Sequence, residues 1–392
     1  MTRVYLDHNA TTPLRSDARA AMNAAMDVIG NPSSVHAEGR AAKMLIERAR
    51  AQVANLVGCL PTQVVFTGSA TEAAALAVAQ KGRHGGRFAA LPTEHDCLGE
   101  WSEAELPAIF DKNGTLDRSA AGRFIDNILR DSDAGYSSNG GQVALVAISA
   151  ANSETGIMLP DGHVASNNHI NSSLAGTVPY AVVCDITQMA GKMPVTYDGD
   201  ARPAYMILSA HKMGGPKGVG ALINFTADDP QAMMRGGGQE MGRRSGTENV
   251  IGIAGFGAAA QAAQHDISAG KWDRVDKLRN ILENALEAAS NTTIFIGRSV
   301  GRLPNTSCFA TPGWKGETQV MQMDLSGFAI SAGSACSSGK VKASRVLEAM
   351  GLGDMAANAV RVSLGLETTE EEIMRFVDVW AQKLKKHQAR AV

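Results

Sequence analysis

Short apolar runs that end in polar residues, separated by stretches of helical spacing, constrain this chain more than any other feature. They are Val64-Val65-Phe66, Arg87 to Leu91, Val143 to Ser149, Tyr180 to Cys184, Met206-Ile207-Leu208 and Val219 to Ile223. Runs this short suit buried strands rather than helices. Strands alternating with helical stretches predict an α/β fold with a largely parallel sheet, whose ligands gather at the carboxyl ends of the strands. Around them, Asp17 to Ile29 has helical spacing and is stopped by Gly30-Asn31-Pro32-Ser33-Ser34. Gly39 to Val57 and Trp272 to Ala289 read as amphipathic helices, and a further helix is expected near Ala120 to Leu129. A chain of 392 residues is too long for one small core. Its second part mixes strands (Thr293 to Ile296, Ser307 to Ala310, Phe328 to Ser331, Val360 to Ser363) with helices, the last opening at Thr368.

Composition excludes several classes of partner. The 37 Lys and Arg residues face 39 Asp and Glu residues, a net charge of -2, so the basic excess of a nucleic-acid binder is missing. No run is long enough to span a membrane and Met1 to Asp7 is not a signal peptide, which predicts a cytoplasmic protein. The five cysteines, Cys59, Cys97, Cys184, Cys308 and Cys336, include no CxxC pair. Neither a zinc site nor a disulfide framework is therefore expected.

Three stretches carry candidate chemistry. Ser209-Ala210-His211-Lys212 follows a buried strand and precedes the turn Met213 to Gly218. A lysine held there is either an ordinary surface lysine or one whose amine can form a Schiff base. Val64 to Phe66, Gly68 and the capping-box pair Ser69 and Glu72 make a strand, a turn and a helix start. That is either a phosphate seat or an ordinary junction. Arg235 to Glu240 and Arg243 to Thr247 are basic and glycine-rich, as a solvated loop would also be. Gly255 to Ala260 satisfies a dinucleotide fingerprint formally, but its alanine-rich surroundings read as helix packing.

Taken in order, a set of motifs resembles the pyridoxal-phosphate-dependent cysteine desulfurases of the NifS/IscS type. They are Leu6-Asp7 with Ala10-Thr11-Thr12-Pro13, Gly30 to Ser34, Ala70-Thr71-Glu72, Thr93-Glu94-His95 and Asp185-Ile186-Thr187-Gln188. Ser209 to Lys212, Arg244 to Thr247 and Gly333-Ser334-Ala335-Cys336 complete the series. The tract from 97 to 142 matches least. The resemblance implies a fold-type I architecture, with a mainly parallel sheet of the seven-stranded type, helices on both faces and a smaller α+β domain. Residues 16–257 would form the large cofactor-binding domain, and 1–15 with 258–392 the small one. A homodimer is also implied.

The same resemblance assigns roles. Lys212 would carry pyridoxal phosphate, Asp185 would pair with its ring nitrogen and Gln188 with its phenolic oxygen. Ala70, Thr71, Ser209 and His211 would line the phosphate cup, completed by Thr247 of the other subunit. His95 would stack on the ring and serve as an acid–base group. Arg361 would clamp the substrate carboxylate, for which a planar fork is suited, with Asn31 beside it. Cys336 would be the nucleophile that takes sulfur from L-cysteine as a persulfide, leaving L-alanine. A free thiol, with a pKa of about 8.5, is mostly protonated near neutrality, so the site must activate it. The other four cysteines read as small core residues.

The acceptor implied is an iron–sulfur scaffold or another sulfur carrier, nitrogenase maturation being one possible setting. No resident metal is implied, although Cys336 could meet a nascent cluster. One departure stands out: Asn152-Ser153-Glu154 replaces the family's usual Asn-Asn-Glu, so Asn152, Ser153 or Gln188 alone must serve the phenolic oxygen. The alternative reading is a selenocysteine lyase or a related class-V pyridoxal enzyme, for which Cys336 would be dispensable. A cofactor-binding scaffold without turnover is the rival from outside enzymology.

Overall fold

A computed structural model describes residues 3–103, 110–115, 144–159, 180–197, 202–333 and 343–391. The expected helix near 120–129, the loop 136–141 and Cys336 lie outside the described residues. The first strand, β1 (Val4–Tyr5), leads into helices α1 (Ser16–Met26) and α2 (Ala37–Val57). The apolar runs become β2 (Val64–Thr67), β3 (Phe88–Ala90), β4 (Leu145–Ser149), β5 (Ala181–Asp185), β6 (Tyr205–Ser209) and β7 (Gly220–Asn224). They pair in the order β2-β7-β6-β5-β4-β3, giving six strands among the described residues. β3 to β6 are mutually parallel, whereas β7 is antiparallel to both β6 and β2. The connection from β6 to β7 explains the exception. Residues 210–219 are too few for a parallel crossover, and Gly214 and Gly218 reverse the chain at φ of 87° and 79°.

All strands but β7 therefore point one way, and their carboxyl ends share one edge. The strands are almost wholly buried because helices cover both faces. One face packs against α1, α2 and the helix Val250–Ser268, through Ile46, Val53, Val57, Met206, Leu208, Phe256 and others. That helix contains Gly255 to Ala260, so the formal fingerprint is helix packing. The other face packs against α3 (Ala70–Val78). A third cluster joins Val4 and Leu6 to Leu278, Leu282, Phe309, Trp314, Phe328, Val362, Phe376 and Trp380. It is built on the antiparallel sheet β8 (Ile294–Phe295), β9 (Thr306–Ala310) and β11 (Ala359–Ser363), with β1 parallel to β10 (Phe328–Ala329).

Candidate active site

The edge formed by the strand ends collects most of the residues singled out in the sequence. Asp185 ends β5, in register with Ser149 of β4 and Ile207 of β6, and is buried. One of its carboxylate oxygens, Oδ1, accepts a 2.8 Å bond from the Thr187 backbone N–H, which leaves the other available to a cation. His95 follows β3 as the N-cap of the short helix Asp96–Gly99, its Nδ1 accepting from Cys97 N–H at 3.1 Å. A neutral imidazole so held carries its proton on Nε2. Glu94, next to it, is completely buried and bonded by the N–H and hydroxyl of Ser149. Burial pushes its carboxyl up to about 7 against those bonds.

The strand–glycine–helix unit forms as its capping signal requires. Ser69 Oγ caps α3 by accepting from Glu72 N–H at 3.2 Å. The second half of the expected capping box is rewired: the Glu72 carboxylate accepts from Gly68 N–H at 2.7 Å and pairs with Arg244 at 2.9 Å. The Gly68 N–H is thus taken, and the first-turn N–H groups of Ala70 and Thr71 lie at the positive end of the helix, where an anion is favoured. Gly220 lets β7 pass directly behind them: a Cβ there would lie 2.5 Å from the Ser69 carbonyl carbon and 2.8 Å from Ala70 N. Ser209, ending β6, pairs in register with Gly220.

Lys212 sits one turn beyond β6, and its Nζ donates to the carbonyls of Asn9 (2.7 Å) and Ala10 (2.9 Å). Thr12 returns bonds to the carbonyls of His211 and Lys212. His211 meets the Thr11 hydroxyl at 3.2 Å, and its imidazole is pushed down to about 4, by burial first and by Lys212 and Lys217 after it. Gln188 is buried, donating to the Asn9 carbonyl at 3.0 Å.

Arg361, on β11, is buried with Nη2 on Asp7 at 2.8 Å and Nη1 on the Ser153 carbonyl at 3.0 Å. Its Nε is buried without a partner in the described structure, which leaves one edge of the fork for a carboxylate. Position 153 contributes its backbone carbonyl to this contact. Asn152 is committed to its own turn: its oxygen accepts from Glu154 and Thr155, and its amide donates to Thr93 O at 2.9 Å. Asn31 and Thr247 are both exposed, Asn31 capping its own turn through Ser33 N–H at 2.9 Å.

Sequence reasoning missed two residues that bind this site together, Asn9 and Lys192, although Asn9 lies inside the opening motif. It also placed all four other cysteines in the core. Cys184 and Cys308 are buried, but Cys59 and Cys97 are half-buried at the margins of apolar clusters.

A primary amine, a buried carboxylate and a helix start with free N–H groups are the donor set that a phosphorylated aldehyde with a basic ring nitrogen requires. This chain belongs to the class-V aminotransferase family, whose model matches residues 4–376. Within that family it is 37% identical to a cysteine desulfurase of Cereibacter sphaeroides, over 97% of this chain and 95% of that one. It is 36% identical to a cysteine desulfurase of Klebsiella pneumoniae, over 95% and 90%. A solved NifS-like protein from Rickettsia africae superposes with a TM-score of 0.81 at 28% identity, covering 98% of this chain and 99% of that one.

Proposed function

We propose that this protein is a pyridoxal-phosphate-dependent cysteine desulfurase, yielding L-alanine and a persulfide on Cys336. The observation that carries the reading is the meeting of Lys212, Asp185 and His95 at one sheet edge, with Arg361 offering a guanidinium edge beside them. When bound, pyridoxal phosphate supplies an electron sink for the substrate α-carbon. Lys212 would hold it, and its amine would be the base for the substrate α-proton. Asp185 keeps the ring nitrogen protonated, Ala70, Thr71, Ser209 and His211 hold the phosphate, and Gln188 faces the phenolic oxygen. Arg361 would orient the substrate carboxylate, and His95 would serve as an acid–base group for the substrate. The Cys336 thiolate accepts the substrate's sulfur atom as the C–S bond breaks, and the electron pair left on carbon is protonated to give the methyl group of alanine.

The finer points belong to the same proposal. Residues 16–257 form the cofactor-binding domain, and 1–15 with 258–392 the other, in line with the separate cluster around Trp314 and Trp380. The enzyme is a homodimer in which Thr247 completes the partner's phosphate cup, and exposure of Thr247 in one chain supports this. Sulfur passes to an iron–sulfur scaffold or another carrier. The absence of a disulfide among the described cysteines suits a reducing, cytoplasmic compartment, and no described helix is long and apolar enough to cross a membrane.

Alanine and sulfide release from L-cysteine tests the reading, with wild type compared to Cys336→Ala and Lys212→Ala in the presence of a reductant. Loss of activity in both variants, with cofactor absorbance lost only in Lys212→Ala, is expected. Wild-type turnover by Cys336→Ala would instead identify a lyase.

A further inference from the structure

Lys192 is the least expected side chain in the interior. It is 2% exposed, and its Nζ touches two neutral groups, Gln188 Oε1 at 2.9 Å and Asn9 Oδ1 at 3.2 Å. No carboxylate pairs with it among the described ion pairs. An ammonium buried without a carboxylate partner is unfavourable. Burial, followed by repulsion from Lys212 and Arg361, holds its amine well below the ordinary lysine range. Packing alone would be served by an apolar side chain of similar length.

What Lys192 does follows from hydrogen-bond direction. An ammonium has only donors, so Gln188 must turn its oxygen toward Nζ. The Asn9 carbonyl, which only accepts, lies 3.0 Å from Gln188 Nε2 and demands the same orientation. A neutral Lys192 amine gives the same answer, since reversing the amide would set two acceptors against each other at Asn9. With its oxygen on Lys192 and one N–H on Asn9, Gln188 keeps one N–H to offer. Asn9 Oδ1 is shared between Lys192 and Asn305 Nδ2 at 3.0 Å, so Lys192 cannot move without disturbing Asn9.

We propose that Lys192 is a positioning residue that, together with the Asn9 carbonyl, holds Gln188 as a hydrogen-bond donor toward the phenolic oxygen of bound pyridoxal phosphate. The proposal rests on the reading of the site given above and adds to it a residue four positions beyond Gln188. A donor to that oxygen favours its anionic form. Removing Lys192 should therefore raise the pH at which the bound cofactor changes its visible absorbance.

The test is a spectrophotometric pH titration of the holoenzyme, comparing wild type, Lys192→Met, Gln188→Met and the double variant. Lys192→Met should move the midpoint upward by about half to one pH unit, the worth of one hydrogen bond. The same substitution should move it far less in the Gln188→Met background. An unmoved midpoint in Lys192→Met overturns the proposal, as does an equal shift in both backgrounds, which would make Lys192 an independent charge. If Lys192→Met does not fold, Lys192→Gln decides, because it keeps a donor without a cation. A midpoint near wild type supports orientation, and a full upward shift overturns it. A wild-type enzyme without cofactor absorbance sinks the site reading and this proposal together, whereas a band with an unmoved midpoint sinks this proposal alone.

Discussion

The carboxyl edge of the sheet and the segment Asp7 to Thr12 hold the same site by opposite means. At the edge, Asp185, Ser209 and His95 are placed by strands whose register is fixed by a continuous apolar pattern. The N-terminal segment has almost no regular structure beyond a bridge from Asp7 to Ser363. It works through bonds to residues 144 to 354 positions away, reaching Ser153, Gln188, Lys192, Lys212, Thr306 and Arg361. The edge is rigid because many strands cooperate. The segment is held because nearly every polar atom of Asn9 has a partner: its N–H donates to Ser363 Oγ, its amide to Thr306 Oγ1, and both its oxygens accept.

The largest effect expected falls where the two regions meet. Lys212→Ala should lower alanine production at least about a thousandfold, since the residue acts as a unit with the cofactor. The fold should survive, because Lys212 is half-buried and its loop is held through backbone bonds from Thr12. A thermal midpoint far below that of wild type would show that the contact with Asn9 and Ala10 is structural first.

Asn9→Ala separates the regions more cleanly. It keeps the carbonyl that Lys212 and Gln188 use but strips the side chain from Lys192, Asn305 and Thr306. Each of the three keeps one other partner (Gln188, Leu364 O and Asn305 Oδ1 respectively), so the loss is that of three hydrogen bonds at about 0.5–1.5 kcal/mol each, roughly 2–4 kcal/mol in denaturant unfolding. A loss under about 1 kcal/mol would mean that water replaces the amide.

These two regions also differ in how far the sequence disclosed them. The sheet edge was legible because apolar runs, a capping pair and the glycine turn after Lys212 are local signals with local causes. The Asn9–Lys192 network was not, since its partners are distant in the chain and a lysine in Gly191-Lys192-Met193 looks like any surface lysine. The antiparallel sense of β7 could be inferred from its short connection. Rewiring of Glu72 toward Gly68 could not, because it depends on Arg244, 172 residues away.

Acid should test both regions at once. His8, in the segment, is pushed from 6.5 to about 4 by burial and then Lys192, while His211, beyond the edge, falls to about 4 from the same starting value. A histidine lowered in the fold contributes fully above about 6.5, and that stability is lost as pH falls toward 4. Glu94 opposes them, because a carboxyl raised from 4.5 to about 7 loses stability as pH climbs through that window. Glu154, also raised by burial, acts with Glu94, and Lys192, held well below the lysine range, acts with the histidines; with the lowered bases dominant, the denaturation midpoint should rise with pH from about 4 to 6.5. Glu94→Gln should steepen the rise and His8→Asn should flatten it; parallel curves for all three proteins would refute the assignment.

Asp7→Asn probes the segment's hold on substrate. Asp7 Oδ1 takes Arg361 Nη2, and its Oδ2 accepts from Ser331 Oγ at 2.8 Å, so the carboxylate aims the guanidinium. Without the charge, KM for L-cysteine should rise several-fold, about 1 kcal/mol, with kcat nearly unchanged. A lower KM would show that Asp7 competes with the substrate carboxylate rather than orienting its receptor.

The smallest effect is expected at the edge, from Ser69→Ala. The variant removes the cap from α3 and should cost about 1 kcal/mol of stability, because Glu72 still satisfies Gly68 and β7 still presses on the helix start through Gly220. The N–H groups of Ala70 and Thr71 remain in place, so the affinity for pyridoxal phosphate, measured by fluorescence titration of the apoenzyme, should change less than threefold or so. A tenfold loss of affinity at an unchanged denaturation midpoint would move Ser69 from the helix cap into the phosphate cup. The edge would then depend on individual polar contacts in the way the N-terminal segment does.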